Sequence, residues 1–185
     1  MALDSFKRVQ ALKAERNKLS AELDDRATAD VSRILKNIGD DFVNFLSQEG
    51  FRVTRFKNAI SAIYGDARLS LEFPPPTERF NGALSMLSLL DSRNPEHKWL
   101  LSVVGRNDPA AVPAAEAPAQ NASITLETMI EVLRRSNDRF LPSDYTIRYQ
   151  MVALNSDSIQ AGAGQTSTSV QDVLSAILEE PSFNH

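Results

Sequence analysis

The sequence predicts an α+β protein: a long N-terminal helix, part of it with coiled-coil spacing, packed on a mainly antiparallel sheet of about five to six strands, with two further helices toward the C-terminus. Three observations carry this expectation. Residues Asp4 to Gln48 contain no proline and repeat apolar side chains at helical spacing. After Gly50 the period shortens to that of a strand. Residues 123–185 then read as helix, strand and helix, so the strands cluster instead of alternating with helices as they do in a parallel sheet.

The long helix has two unlike halves. Val31, Ile34, Leu35, Ile38, Phe42, Val43, Phe45 and Leu46 form a wide apolar face suited to a protein core. In the first half, Phe6 is followed by Val9, Leu12, Leu19 and Leu23 at a/d spacing, with Arg16 in the vacant slot; Lys13, Glu15, Lys18 and Glu22 flank this seam. Arg26 and Asp30 would occupy the next two slots and end the apolar pattern. A straight helix over this stretch would be roughly 68 Å long, whereas a compact chain of this size is about 40 Å across. The helix therefore either breaks near Asp24–Asp30 or carries its seam away from the body, where a second helix must cover it. Gly39 costs about 1 kcal/mol of helix propensity, so it marks either a bend or a close approach to the sheet.

Alternation begins at Phe51–Phe56, continues through Ala59–Tyr64 and is cleanest at Arg68–Phe73. Gly65-Asp66 joins the last two as a hairpin turn, and Pro74-Pro75-Pro76 stops the ladder because proline has no N–H to donate. Ala83–Leu90 and Lys98–Val104 are further strands, separated by the turn cluster Asp91–Glu96; their adjacent apolar residues suggest burial on both faces. Residues 107–122 are Pro/Ala-rich and read as a flexible linker or loop. Ser123 or Thr125 caps a helix whose apolar face is Leu126, Met129, Ile130 and Leu133. After a Leu141–Asp144 turn, Tyr145–Leu154 is a strand, Asn155–Thr168 a flexible loop, and Ser169 caps a helix with Val170, Val173, Leu174, Ile177 and Leu178 inward. The domain reading is residues 1–106 as helix plus sheet, 107–122 as linker, and 123–185 completing the same domain.

Composition excludes several classes. With 42% hydrophobic and 24% charged residues the chain is an ordinary globular protein. It has no apolar run long enough to span a membrane and no secretory core at its N-terminus. The absence of cysteine removes disulfides and thiolate metal sites and suits a reducing cytoplasm. His97 and His185 are the only histidines, no serine sits in a nucleophile elbow, and Gly162–Thr168 lacks the lysine of a phosphate loop. The carboxylate pairs Asp24-Asp25, Asp40-Asp41 and Glu179-Glu180 diverge along their helices. No catalytic residue, metal site or cofactor is therefore expected.

The expected function is that of a non-enzymatic assembly subunit, associating with itself or with a helical partner through the seam Phe6, Val9, Leu12, Arg16, Leu19 and Leu23. The alternative is a nucleic-acid-binding accessory protein. Residues 51–106 carry a net +3 against −4 for the whole chain, and Arg52, Arg55, Lys57 and Arg68 are the candidate phosphate contacts.

Overall fold

The structure, a computed structural model, describes residues 2–78, 80, 83–105, 125–138, 144–155 and 164–179, without the side chains of residues 2–5. The Pro/Ala tract 107–122, the Ser123 cap, residues 141–143 of the expected turn, 156–163 of the expected loop and 180–185 lie outside the described residues. The chain divides into two compact units, residues 1–30 with 107–143 and residues 31–106 with 144–185. Helix α1, Ala2–Gln48, contributes to both and has no break at Asp24–Asp30.

The larger unit is built on a sheet of seven antiparallel strands in chain order, each hydrogen-bonded to the next. These are β1 (Arg52–Arg55), β2 (Ala59–Tyr64), β3 (Ala67–Glu72), β4 (Ser85–Asp91), β5 (His97–Gly105), β6 (Tyr145–Ala153) and β7 (Gln165–Ser167). Helix α3, Val170–Glu179, follows β7. The C-terminus of α1 aims the chain into this sheet. Gly50 takes φ +86°, the Phe51 N–H donates to the Leu46 carbonyl at 2.8 Å and the Gly50 N–H to Ser47 at 3.2 Å. This paired closure satisfies two orphan helix carbonyls and presses Phe51 toward the core.

Period-two alternation sorts the side chains. Ile60 and Ala62, Leu69 and Leu71, Leu87 and Leu89, Trp99, Leu101 and Val103, and Ile147 and Tyr149 share one buried face. Val31, Ile34, Leu35, Ile38, Phe42 and Leu46 of α1 cover it, and Val170, Val173, Leu174 and Ile177 of α3 join the same cluster. Strand β4 alternates strictly between buried and half-buried positions, so it is not buried on both faces as its paired leucines suggested. Strand β5 is, from Trp99 through Val103. Gly65, φ +55°, stands first in the Gly65-Asp66 loop between the paired Tyr64 and Ala67. This is the position where a type II′ hairpin turn takes glycine, so the Gly-Asp order is functional.

Gly39 serves close approach. A Cβ added there would lie 3.3 Å from Ile60 Cδ1 and 3.4 Å from Phe73 Cζ, tighter than ordinary van der Waals contact. Strand β7 was not expected. Gln165–Ser167 is polar and short, yet it pairs Ile147 with Ser167 and Tyr149 with Gln165, and the Tyr149 hydroxyl donates to Gln165 Oε1 at 2.7 Å. Ser169 caps α3 as expected, its Oγ accepting from the Gln171 N–H at 3.1 Å. No described helix is long and apolar enough to cross a membrane.

Phe42 is among the largest fully buried side chains of the larger unit. Phe42→Ala is expected to cost about 3–5 kcal/mol by cavity formation, read as a lower urea midpoint at unchanged slope.

Candidate interaction surfaces

The smaller unit pairs the first part of α1 with helix α2, Leu126–Asp138. Thr125 caps α2, its Oγ1 accepting from the Thr128 N–H at 3.2 Å. The bonds between the helices fix their relative direction. Arg8 donates to Glu127 at 3.5 Å, Arg134 donates to Glu15, and Asn137 Nδ2 donates to the Leu19 carbonyl at 3.0 Å. The partners differ in residue number by 119, 119 and 118. A constant difference, in place of a constant sum, means that the two helices run parallel. The two ion pairs are one heptad apart on both helices and opposite in sense, so a slip of one heptad would set like charges against each other.

At the lower end of the pair, Arg26 donates to the Asn137 carbonyl at 2.7 Å. It thereby satisfies one of the carbonyls that every helix C-terminus leaves without an intrahelical partner. Asn137 is itself only 6% exposed. Its amide also donates to the Leu133 carbonyl at 3.1 Å, while its Oδ1 has no partner among the described residues. Glu15 holds the Arg134 guanidinium above its ordinary pKa, first through their hydrogen bond and then through charge.

The seam residues divide into two groups. Leu12, Arg16, Leu19 and Leu23 are half-buried, and the α2 side chains at matching spacing are Leu126, Ile130, Leu133 and Asn137. Phe6 and Val9 stay exposed, at 60% and 41%. On α2, Met129 and Val132 are exposed as well, at 41% and 36%. Met129 thus lies outside the face that Leu126, Ile130 and Leu133 suggested. The inward fourth position is the polar Asn137, which apolar counting passes over.

The four basic residues do not form one cluster. Arg52, Ile63 and Arg68 occupy one cross-strand row, on the sheet face turned away from the core cluster. Arg148 and Lys98 share that face by register, with Glu72 as the acidic member. Arg55 has the opposite parity. Its guanidinium donates to the Gly39 carbonyl at 3.3 Å and to Asp40 Oδ1 at 2.5 Å, while Lys36 takes Asp40 Oδ2 at 2.8 Å. The hydrogen bond from Lys36, followed by that from Arg55, holds the Asp40 carboxyl below the usual carboxylate range. Lys57 follows on the β1–β2 connection. As the end residues of an edge strand, Arg52 and Arg55 also discourage pairing with another sheet.

Among the described residues no three histidine or carboxylate side chains come together to hold a metal ion. Comparisons with family models, curated proteins and solved structures find no match to this chain.

The Glu15–Arg134 pair gives a direct test of the parallel pairing. Arg134→Glu should lower the helix content of the smaller unit, and Glu15→Arg combined with Arg134→Glu should restore it. Circular dichroism read across a salt series checks both, since screening must shrink the difference.

Proposed function

We propose that this protein is a non-enzymatic interaction and assembly subunit, an accessory component of a larger complex. It associates with itself or with a helical partner through the smaller unit. The observation that carries this reading is the set of large apolar side chains that the helix pair leaves exposed: Phe6 and Val9 on α1, and Met129 and Val132 on α2. In this reading α1 and α2 make a short parallel coiled coil of about four layers. Leu12 meets Leu126, Arg16 meets Ile130, Leu19 meets Leu133, and Leu23 meets Asn137.

Such a pair has too few layers to be strongly stable, and an Arg and an Asn occupy two of its inward slots. A further helix laid along the exposed side chains would add apolar burial at about 25 cal/mol per Å². The same apolar residues at three-residue spacing, Phe6 with Val9 and Met129 with Val132, are the anchors that a helix-in-groove contact uses. The absence of cysteine supports placing the subunit in a reducing compartment, the cytoplasm.

Light scattering at two concentrations and two salt strengths tests this. Self-association gives a mass of at least twice 20.4 kDa and returns to one copy in the variant carrying Phe6→Ser, Val9→Ser, Met129→Ser and Val132→Ser. The reading fails if the chain is monomeric throughout and its partners are captured equally by that variant.

A second reading, contact with nucleic acid, is favoured by Arg52, Arg68, Lys98 and Arg148 sharing one sheet face. It requires a salt-sensitive mobility shift that Arg52→Ala, Arg68→Ala and Arg148→Ala together abolish. No shift at low salt removes it.

A further inference from the structure

A solvent-open groove of about 280 Å³ lies wholly within the larger unit, between α1, the β1–β2 hairpin and the chain that leaves β3. Helix α1 lines it with Ser32, Leu35, Lys36 and Gly39, one helical stripe by spacing. The hairpin supplies Arg55 to Asn58 and Ile60, and Phe73 with Pro74 to Pro76 complete the lining.

This groove is built into the fold. The Phe56 N–H donates to the Ala59 carbonyl at 2.8 Å and closes the hairpin, and the Phe73 N–H donates to the Asn58 carbonyl at 2.9 Å and ties the proline wall to it. The prolines stiffen that wall, because each ring fixes its own φ. Gly39 is what leaves room at the helix side, where any Cβ would crowd Ile60 and Phe73.

The chemistry of the lining is two-sided. Leu35, Ile60, Phe73 and the prolines are apolar, and Phe56 stands at the rim 63% exposed. A large aromatic side chain left in water beside a groove is a surface to be covered. Against this, Lys36, Arg55 and Lys57 are three cations with Asp40 as their one carboxylate, a net of +2. Asp40 is fully engaged, one oxygen to Lys36 and the other to Arg55. Lys57 pairs with no acidic side chain among the described residues.

From this arrangement we infer a binding site for a small aromatic carboxylate, whose ring lies against Phe56, Phe73 and the proline wall and whose carboxylate meets Lys57 beside the Lys36–Asp40–Arg55 group. Size sets the class. Sites for drug-sized ligands run from about 300 to 1,000 Å³, so this one holds a single ring with a short acid arm and excludes a dinucleotide. A free aromatic acid and the C-terminal residue of a partner chain present the same chemistry.

The test is a titration of the full nitrogen-15-labelled chain followed by amide shifts, with phenylpropionate, its neutral amide, and an acetylated tripeptide ending in phenylalanine. Saturable shifts are expected at low-millimolar acid, confined to α1 around Gly39, the hairpin tip and Phe73. Replacing acid by amide, or making Lys57→Ala, should each weaken binding about three- to tenfold, and Phe56→Ala should weaken it through lost ring contact. Both replaced side chains are exposed, so unchanged shifts elsewhere verify the fold of each variant. Tighter binding of the tripeptide assigns the site to a chain terminus, and tighter binding of the free acid assigns it to a small molecule. Absence of saturable shifts, shifts centred elsewhere, or equal binding of acid and amide overturns the inference.

Discussion

The larger unit depends on one stripe of α1, the six buried side chains from Val31 to Leu46 laid on a single sheet face. Strands β2 to β6 each supply two or three buried residues to this face, while β1 adds only the partly buried Val53. The stripe also explains why the strands can run in chain order. Antiparallel neighbours need no crossover, so β2 to β6 reach the same apolar surface in chain order even though residues 106–144, with α2 among them, separate β5 from β6. Even the close-packing exception at Gly39 follows from it. The helix lies near enough to Ile60 and Phe73 that a methyl group would crowd them, and the propensity cost of glycine is accepted for that approach.

The sequence made this part legible because burial there obeys simple periods. The apolar residues of α1 from Val31 onward, the alternation of β3 and the Gly65 turn all appear at their expected places. What escaped has a physical reason in each case. Strand β7 is three polar residues on a sheet edge, where a strand needs backbone partners on one side only and no apolar pattern. Strand β4 reads as doubly apolar at Leu89-Leu90, but only Leu89 has the inward parity. The inward face of α2 depends on which helix it meets. Periodicity alone ranks Met129 with Ile130, whereas the pairing takes Leu126, Ile130, Leu133 and Asn137.

The basic residues show the same limit at a functional level. Spacing in the sequence places Arg52, Arg55, Lys57 and Arg68 within seventeen residues of one another. Strand parity then separates them: Arg52 and Arg68 take the outer row, and Arg55 turns to Asp40 and the carbonyl of Gly39. Charge counting cannot detect this, because the partner that claims Arg55 comes from a helix fifteen residues earlier. The acidic residue that cancels one cation is therefore as informative as the cations themselves. It separates Arg55 from the outer basic row and holds it beside Gly39, at the groove between α1 and the β1–β2 hairpin.

The helix pair of the smaller unit is governed by specificity more than by buried area. An apolar side chain at Asn137 would remove a buried carbonyl oxygen without a partner among the described residues and add contact with the facing helix. The asparagine instead commits its amide to the Leu19 and Leu133 carbonyls, bonds available only at one axial position of α2. The opposed ion pairs of Arg8 with Glu127 and Glu15 with Arg134 repeat that selection at heptad spacing. Exposed ion pairs of this kind add little free energy, but two of opposite sense bias the pair toward one register, since a slipped pair turns attraction into repulsion. Polar groups thus set the direction and register of the pair, while Phe6, Val9, Met129 and Val132 remain exposed on it.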